Sequence, residues 1–166
     1  MGLLSKHEST VWKQFHQGYS TSEISDNNPE EKWTPAYTSR VLNRARGKIR
    51  KTLEDHAKSH RLDITSVQDY KGILIGFDFQ ANTQVYIVYT EKQGVLVWYK
   101  HDSYGGKLCH ECPSEEECRE TLDTVIQEYN LTLRPDEHAL LMTELSIVIF
   151  NRLAAKEIPR YRRKTD

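Results

Sequence analysis

Apolar residues in the first third of the chain recur every three or four positions, which is the spacing of an amphipathic helix. A first helix is predicted behind Ser5, a capping residue with Glu8 three positions on, and it ends near Gly18. A short second helix, TSEISDN, is predicted after a cap at Ser20 or Thr21.

A third, longer helix is predicted after the polar stretch DNNPEEKW. Thr34 caps it, and Pro35 follows at the first helical position, where its missing N–H costs nothing. The helix is expected to run to about His56. One face of it should be buried, because apolar residues recur there at helical spacing, namely Leu42, Ala45, Ile49 and Leu53.

The periodicity changes from Lys71 onward. The segments GILIGFDF, TQVYIVYTE and GVLVWYK are rich in β-branched and aromatic residues, which favour strands. EKQG lies between the second and third segments and has the length and composition of a hairpin turn. We therefore predict a three-stranded antiparallel meander.

Two further helices complete the predicted chain. Ser114 and Glu117 form a capping pair that opens a helix to about Tyr129. The last helix is expected from about Asp136 to Ala155 and is apolar on most sides. The predicted fold class is α+β: a helical domain at 1–60, an α+β domain at 66–158 and a basic tail at 159–166.

Charge is distributed unevenly along a chain that is nearly neutral. The 166 residues carry 23 basic and 24 acidic side chains, but residues 1–61 carry 11 basic and 7 acidic. Between Lys32 and Leu53 there is no acid at all. A solvated helix face usually mixes both signs, so this segment favours a polyanionic partner over mere solubility.

The first 57 residues resemble the helix-turn-helix of the fourth region of sigma factors and of LuxR-type regulators. The matching pieces are the opening Leu-Ser with Glu8, the Gly18-Tyr19-Ser20 turn, Glu23-Ile24, Arg44-Ala45-Arg46 and Lys48-Ile49-Arg50. The resemblance implies an N-terminal helix-turn-helix whose third helix contacts double-stranded DNA.

The chemistry of the third helix suits that expectation. Tyr37, Arg40 and Arg44 share one face, and Ser39 and Asn43 flank it. An arginine fork suits guanine, and an asparagine amide suits adenine. The remaining cations are expected to meet phosphates, which position a protein without reading sequence, namely Arg46, Lys48, Arg50 and Lys51.

From these observations we expect a sequence-specific DNA-binding transcriptional regulator with a C-terminal sensing or dimerisation domain. The alternative is an adaptor protein whose basic helix contacts RNA or an acidic protein. A homodimer is expected, because two half-sites match two-fold symmetry and the last helix is apolar on most sides. A contact with RNA polymerase or another transcription protein is a further expectation.

The three cysteines lie within ten residues, as C-x2-C-x5-C at Cys109, Cys112 and Cys118. A zinc site of three cysteines and one histidine would take His101 as its fourth ligand. The loop also resembles the C-x2-C-P-x4-C half of WhiB-like proteins, which implies an iron–sulfur cluster. Three reduced thiols, or a redox pair, are the alternative without metal.

Other function classes find little support in the sequence. No Gly-rich phosphate loop, Gly-x-Ser-x-Gly motif or His-Glu-x-x-His motif occurs, so we expect no enzymatic activity. No apolar run approaches the length of a membrane span, and the first residues lack the apolar core of a signal peptide. A cytoplasmic protein without membrane contact is the expectation.

Overall fold

The three N-terminal helices begin where the capping residues predict. In the computed structural model, which describes residues 2–100 and 115–156, α1 spans Lys6–His16 and α2 spans Thr21–Asn27. Each begins with a complete capping box, Ser5 with Glu8 in α1 and Ser20 with Glu23 in α2. A 3₁₀ turn at Pro29–Glu31 follows.

The third helix is the longest element in the described chain. α3 spans Pro35–Ser59, with Thr34 accepting a hydrogen bond from the Tyr37 N–H as its cap. It ends three residues beyond the predicted His56, because Ala57 is fully buried and extends the apolar face by one turn. α1 and α2 both pack on α3, so the three helices share one core.

Four strands, rather than the predicted three, form an antiparallel meander in the order β1-β2-β3-β4. They span Asp63–Gln68, Ile73–Asp78, Thr83–Thr90 and Gly94–Tyr99. The three apolar segments match β2, β3 and β4, and residues 91–93 form the hairpin turn between β3 and β4. β1 escaped prediction because its sequence, DITSVQ, is mostly polar, as is common for an edge strand.

Helices cover both faces of the sheet. Every residue of β3 from Val85 to Thr90 is buried, and neighbouring side chains on a strand point to opposite faces. Tyr89 contacts Trp12 of α1, whereas Tyr86 stacks on Phe150, with ring centroids 4.8 Å apart. α3 contacts all four strands. One cluster of buried residues therefore runs from α1 to the last helix, across the predicted boundary near residue 60.

The C-terminal layer contains two helices, and the second begins later than predicted. α4 spans Glu115–Glu128, and its predicted cap Ser114 lies outside the described residues. α5 spans Met142–Ala155 and not Asp136–Ala155, because residues 135–139 form a 3₁₀ turn and Leu140 and Leu141 are extended. None of the helices described here is long and apolar enough to span a membrane.

A short turn between β1 and β2 ties the helical layers together. Asp69–Lys71 form a 3₁₀ turn that contacts α3. Lys71 Nζ donates to the carbonyl of Ala154 at the end of α5, 2.5 Å away. Gly72, at φ +67°, passes beneath the Tyr129 hydroxyl, which itself donates to the carbonyl of Tyr89. These four residues therefore touch elements from both faces of the sheet.

Candidate nucleic-acid interface

Opposite faces of α3 have opposite character. The buried face carries Thr38, Val41, Leu42, Ala45, Ile49, Leu53 and Ala57. At 3.6 residues per turn, Arg40, Arg44, Gly47 and Lys51 fall within about 60° of one another on the other side. All four are exposed. We call them the exposed stripe.

The three cations of the exposed stripe have no acidic partner in residues 2–100 and 115–156. Arg40, Arg44 and Lys51 take part in no ion pair there, and no side-chain hydrogen bond holds them. These exposed cations lie four and seven residues apart, about one and two helical turns, and so project from one side of the helix. When such a surface binds a polyanion, the counterions condensed on the polyanion are released, which favours binding.

Two other predicted phosphate contacts are held by a single carboxylate. Arg46 Nη1 and Arg50 Nη1 each donate to Asp69 Oδ2 at 3.1 Å, and Arg50 Nε also donates to Glu54 at 2.7 Å. The Arg46 guanidinium lies over the Tyr70 ring, 4.8 Å from its centroid. Asp69 is almost fully buried, so these two arginines fasten α3 to the turn that follows β1.

Asn43 and Lys48 are also engaged within the chain. The Tyr70 hydroxyl donates to Asn43 Oδ1 at 2.7 Å, which occupies one of the two atoms that an adenine contact would use. Lys48 Nζ donates to Glu8 Oε1 at 2.6 Å. Burial raises the pKa of the Glu8 carboxyl, but the hydrogen bonds from Lys48 and Ser5 outweigh burial and bring that pKa below its ordinary value.

Aromatic contacts surround the start of α3. Tyr37 is half-buried, and its hydroxyl forms a hydrogen bond with His7 Nδ1 at 3.1 Å. Trp33 contacts both rings, with centroids 5.1 Å from His7 and 5.9 Å from Tyr37. Ser39 is half-buried as well. The first turn of α3 is therefore fixed against α1 while Arg40 remains in solvent.

The sequence did not reveal which acidic residues form ion pairs with the cations between Lys32 and Leu53. Glu8 was visible only as a capping residue, and Asp69 carried no signal because it lies 19 and 23 residues from its two arginines. The segment itself contains no acid, so the pairing appears only when the chain folds. Of the nine predicted contacts, the three cations of the exposed stripe have no ion pair among the described residues, whereas five are held by contacts within the chain, namely Tyr37, Asn43, Arg46, Lys48 and Arg50.

The predicted metal ligands mostly lie outside the described residues. Cys109, Cys112 and His101 are not among them, and Cys118 is half-buried in the first turns of α4. In the described ranges no group of three or more histidine, cysteine, aspartate or glutamate side chains could hold a metal ion. The zinc site, with the iron–sulfur cluster as its alternative, stays a prediction.

Comparison with known proteins gives no independent guide to function. No protein-family model, no curated protein and no solved structure matches the chain. An inference about function therefore depends on the contacts of α3 and on the sequence pieces that resemble a helix-turn-helix.

Proposed function

We propose that the protein is a sequence-specific DNA-binding transcriptional regulator and that α3 is its recognition helix. The observation that supports this is the exposed stripe, in which Arg40, Arg44 and Lys51 have no acidic partner in the described part of the chain. Nearby cations of the same helix are paired. The stripe therefore carries positive charge that no acidic side chain of residues 2–100 or 115–156 neutralises.

The proposal assigns separate tasks along the stripe. Residues near the start of a recognition helix reach base edges in the major groove, and arginine is the commonest reader of guanine. Arg40 and Arg44 would take this part. Lys51 lies about 10 Å further along the axis than Arg44 and would contact phosphate. A C-terminal layer of sheet, α4 and α5 would sense a signal or mediate dimerisation.

Binding to genomic fragments, followed by fluorescence anisotropy on the preferred site, tests the proposal. Arg40→Gln and Arg44→Gln should each weaken binding to that site by about 1–3 kcal/mol and relax specificity. Lys51→Gln should weaken all sequences alike and reduce the slope of log affinity against log salt by about 0.9. Wild-type affinity in both arginine variants would contradict the assignment of α3.

A matched control separates specific contacts from loss of positive charge. Arg119 and Lys92 are exposed cations at the α4 side of the molecule, and Arg119→Gln with Lys92→Gln removes the same two charges as Arg40→Gln with Arg44→Gln. The control pair should leave affinity unchanged within about twofold. Equal losses in both pairs would indicate only diffuse attraction, and tighter binding to RNA than to DNA would favour the adaptor alternative.

We also propose a homodimer formed through α5. Leu145, Ile149 and Phe150 are buried within the chain, but Ile147 and Val148 are only half-buried. Ile147 and Val148 are adjacent, about 100° apart around the helix, and a partner could cover the part of each that is exposed without removing core contacts. Sedimentation at micromolar concentration should give twice the mass of one chain, and Val148→Lys should halve it. A single-chain mass that added DNA does not change would exclude the dimer.

A further inference from the structure

Gly47 occupies a position in α3 that nothing in the described fold requires to be glycine. It lies in the exact middle of the 25 residues of Pro35–Ser59. Its backbone is helical, and a Cβ added there would meet nothing within 4 Å. Glycine in a helix interior weakens the helix relative to alanine. The cost therefore has no compensating contact with the residues that the structure describes.

The position of Gly47 on the helix suggests what the missing side chain allows. Gly47 belongs to the exposed stripe, about 4.5 Å along the axis from Arg44 and about 6 Å from Lys51. Without a side chain, the helix backbone itself is open to a partner at the centre of three unpaired cations. Glycine is the residue that lets another backbone approach closely.

The length of α3 indicates which part of DNA would meet Gly47. A helix of this length is about 37 Å long, whereas the major groove is about 12 Å wide. If α3 places its first turns at the base edges, as recognition helices do, the rest of a straight helix this long passes over a strand that borders the groove. Gly47 lies about 18 Å from the start of the helix, beyond Arg40 and Arg44.

Resting on the DNA-binding function proposed above, we propose that a sugar–phosphate strand crosses α3 at Gly47, between Arg44 and Lys51. The crossing is the closest approach of protein backbone to DNA, and it sets how deep Arg40 and Arg44 reach into the groove. A second copy of the chain fits this surface less well. If α3 of a second copy crossed at Gly47, in either direction, its Arg44 and Lys51 would lie against the Arg44 and Lys51 of the first copy, and the like charges would repel.

Substitution by a bulky neutral residue tests the crossing without changing charge. Gly47→Leu should weaken binding at least about tenfold, because its side chain holds the surfaces apart beyond hydrogen-bond reach. The loss should appear for unrelated DNA as well, since a strand is met in both, and it should be larger for the preferred site, because Arg40 and Arg44 are held away from the bases there. Gly47→Ala should lose less affinity while raising the thermal midpoint by about 2–4 °C, which shows that the fold is intact.

Ser59→Leu is the matched control, because it adds the same side chain to an exposed position in the last turn of α3. It should bind DNA as the wild type does. If Gly47→Leu binds like wild type while Arg40→Gln with Arg44→Gln does not, the crossing is wrong and the DNA-binding function stands. If Gly47→Leu loses affinity only for the preferred site, Gly47 lies over bases. If Gly47→Leu instead lowers the mass of the oligomer, a second copy of the chain covers this surface. Either result overturns the proposal.

Discussion

Replacement of Asp69 by asparagine should loosen the attachment of α3 to the sheet. Asp69 Oδ2 accepts from Arg46 and Arg50, and Oδ1 accepts from the Tyr70 N–H at 3.0 Å. Asparagine keeps the size of the side chain and one acceptor oxygen. It removes the negative charge. If its oxygen still accepts from the Tyr70 N–H, its amide N–H₂ faces the guanidinium groups of Arg46 and Arg50, which are also donors.

The expected loss follows from the burial of the two partners. Hydrogen bonds to charged groups contribute about 1.5–3 kcal/mol when buried, and exposed ion pairs about 0–1 kcal/mol. The Asp69 side chain is 10% exposed and that of Arg46 is 34% exposed, so their pair lies between these limits. We therefore expect Asp69→Asn to lower the free energy of unfolding by about 1–2 kcal/mol.

Urea denaturation followed by circular dichroism measures this change, with Asp123→Asn as control. Asp123 is exposed on α4 and forms no ion pair with the other residues described, so its neutralisation should change stability by less than about 0.5 kcal/mol. A second readout concerns DNA. Because Arg46 projects about a third of a turn or more from the exposed stripe, Arg46→Gln should leave the salt slope of binding unchanged.

Two results would refute this reasoning. If Asp69→Asn unfolds at the same urea concentration as the wild type, the carboxylate does not hold α3. If Arg46→Gln lowers the salt slope as much as Lys51→Gln does, Arg46 leaves Asp69 and meets phosphate when DNA binds. The second result would restore the role that the sequence alone predicts for Arg46.

Three further predictions concern stability and metal. Burial between Trp12, Phe15 and Tyr129 lowers the pKa of His16 well below its ordinary value. Below about pH 6.5 the unfolded chain therefore takes up a proton that the folded chain does not. The free energy of unfolding should fall as the pH drops below that value, and His16→Phe should remove this pH dependence. Gly72→Ala should cost more than about 1–2 kcal/mol in chemical denaturation, because alanine is strained at φ +67° and its Cβ would overlap the Tyr129 hydroxyl. Elemental analysis should find about one zinc per chain, lost in Cys112→Ser; protein that holds neither zinc nor iron and stays folded in chelator would leave the cysteines as plain thiols.

Local signals predicted most of the fold, because they depend on neighbours in the chain. The capping box at Ser5, the cap predicted at Ser20 or Thr21, the Thr34-Pro35 start and the turn before Gly94 each involve residues at most four positions apart. The polar edge strand β1 lacked such a signal, because an edge strand exposes much of its length and needs little apolar sequence. The start of the last helix was misplaced because apolar residues continue through the extended Leu140 and Leu141.

The candidate interface was predictable in composition but not in arrangement. The sequence revealed that one helix carries six cations and no acid within its first part. It could not reveal that Glu8 and Asp69, from other elements, take three of those cations. Long-range pairing of this kind follows from the packing of α1 and of the turn after β1 on α3, and no spacing along the chain encodes it.

Attachment of α3 to the sheet limits how the protein can be divided. The second half of the helix contains Ile49, Leu53 and Ala57, all fully buried, and α3 contacts all four strands. A fragment that stops at residue 60 would expose those side chains to water and would leave Arg46 and Arg50 without Asp69. We therefore predict that the N-terminal helices cannot be transferred alone. A chimaera that keeps them should fold as they do here only if it also keeps the strands beneath them, so the C-terminal layer can be exchanged less freely than a domain joined by a flexible linker.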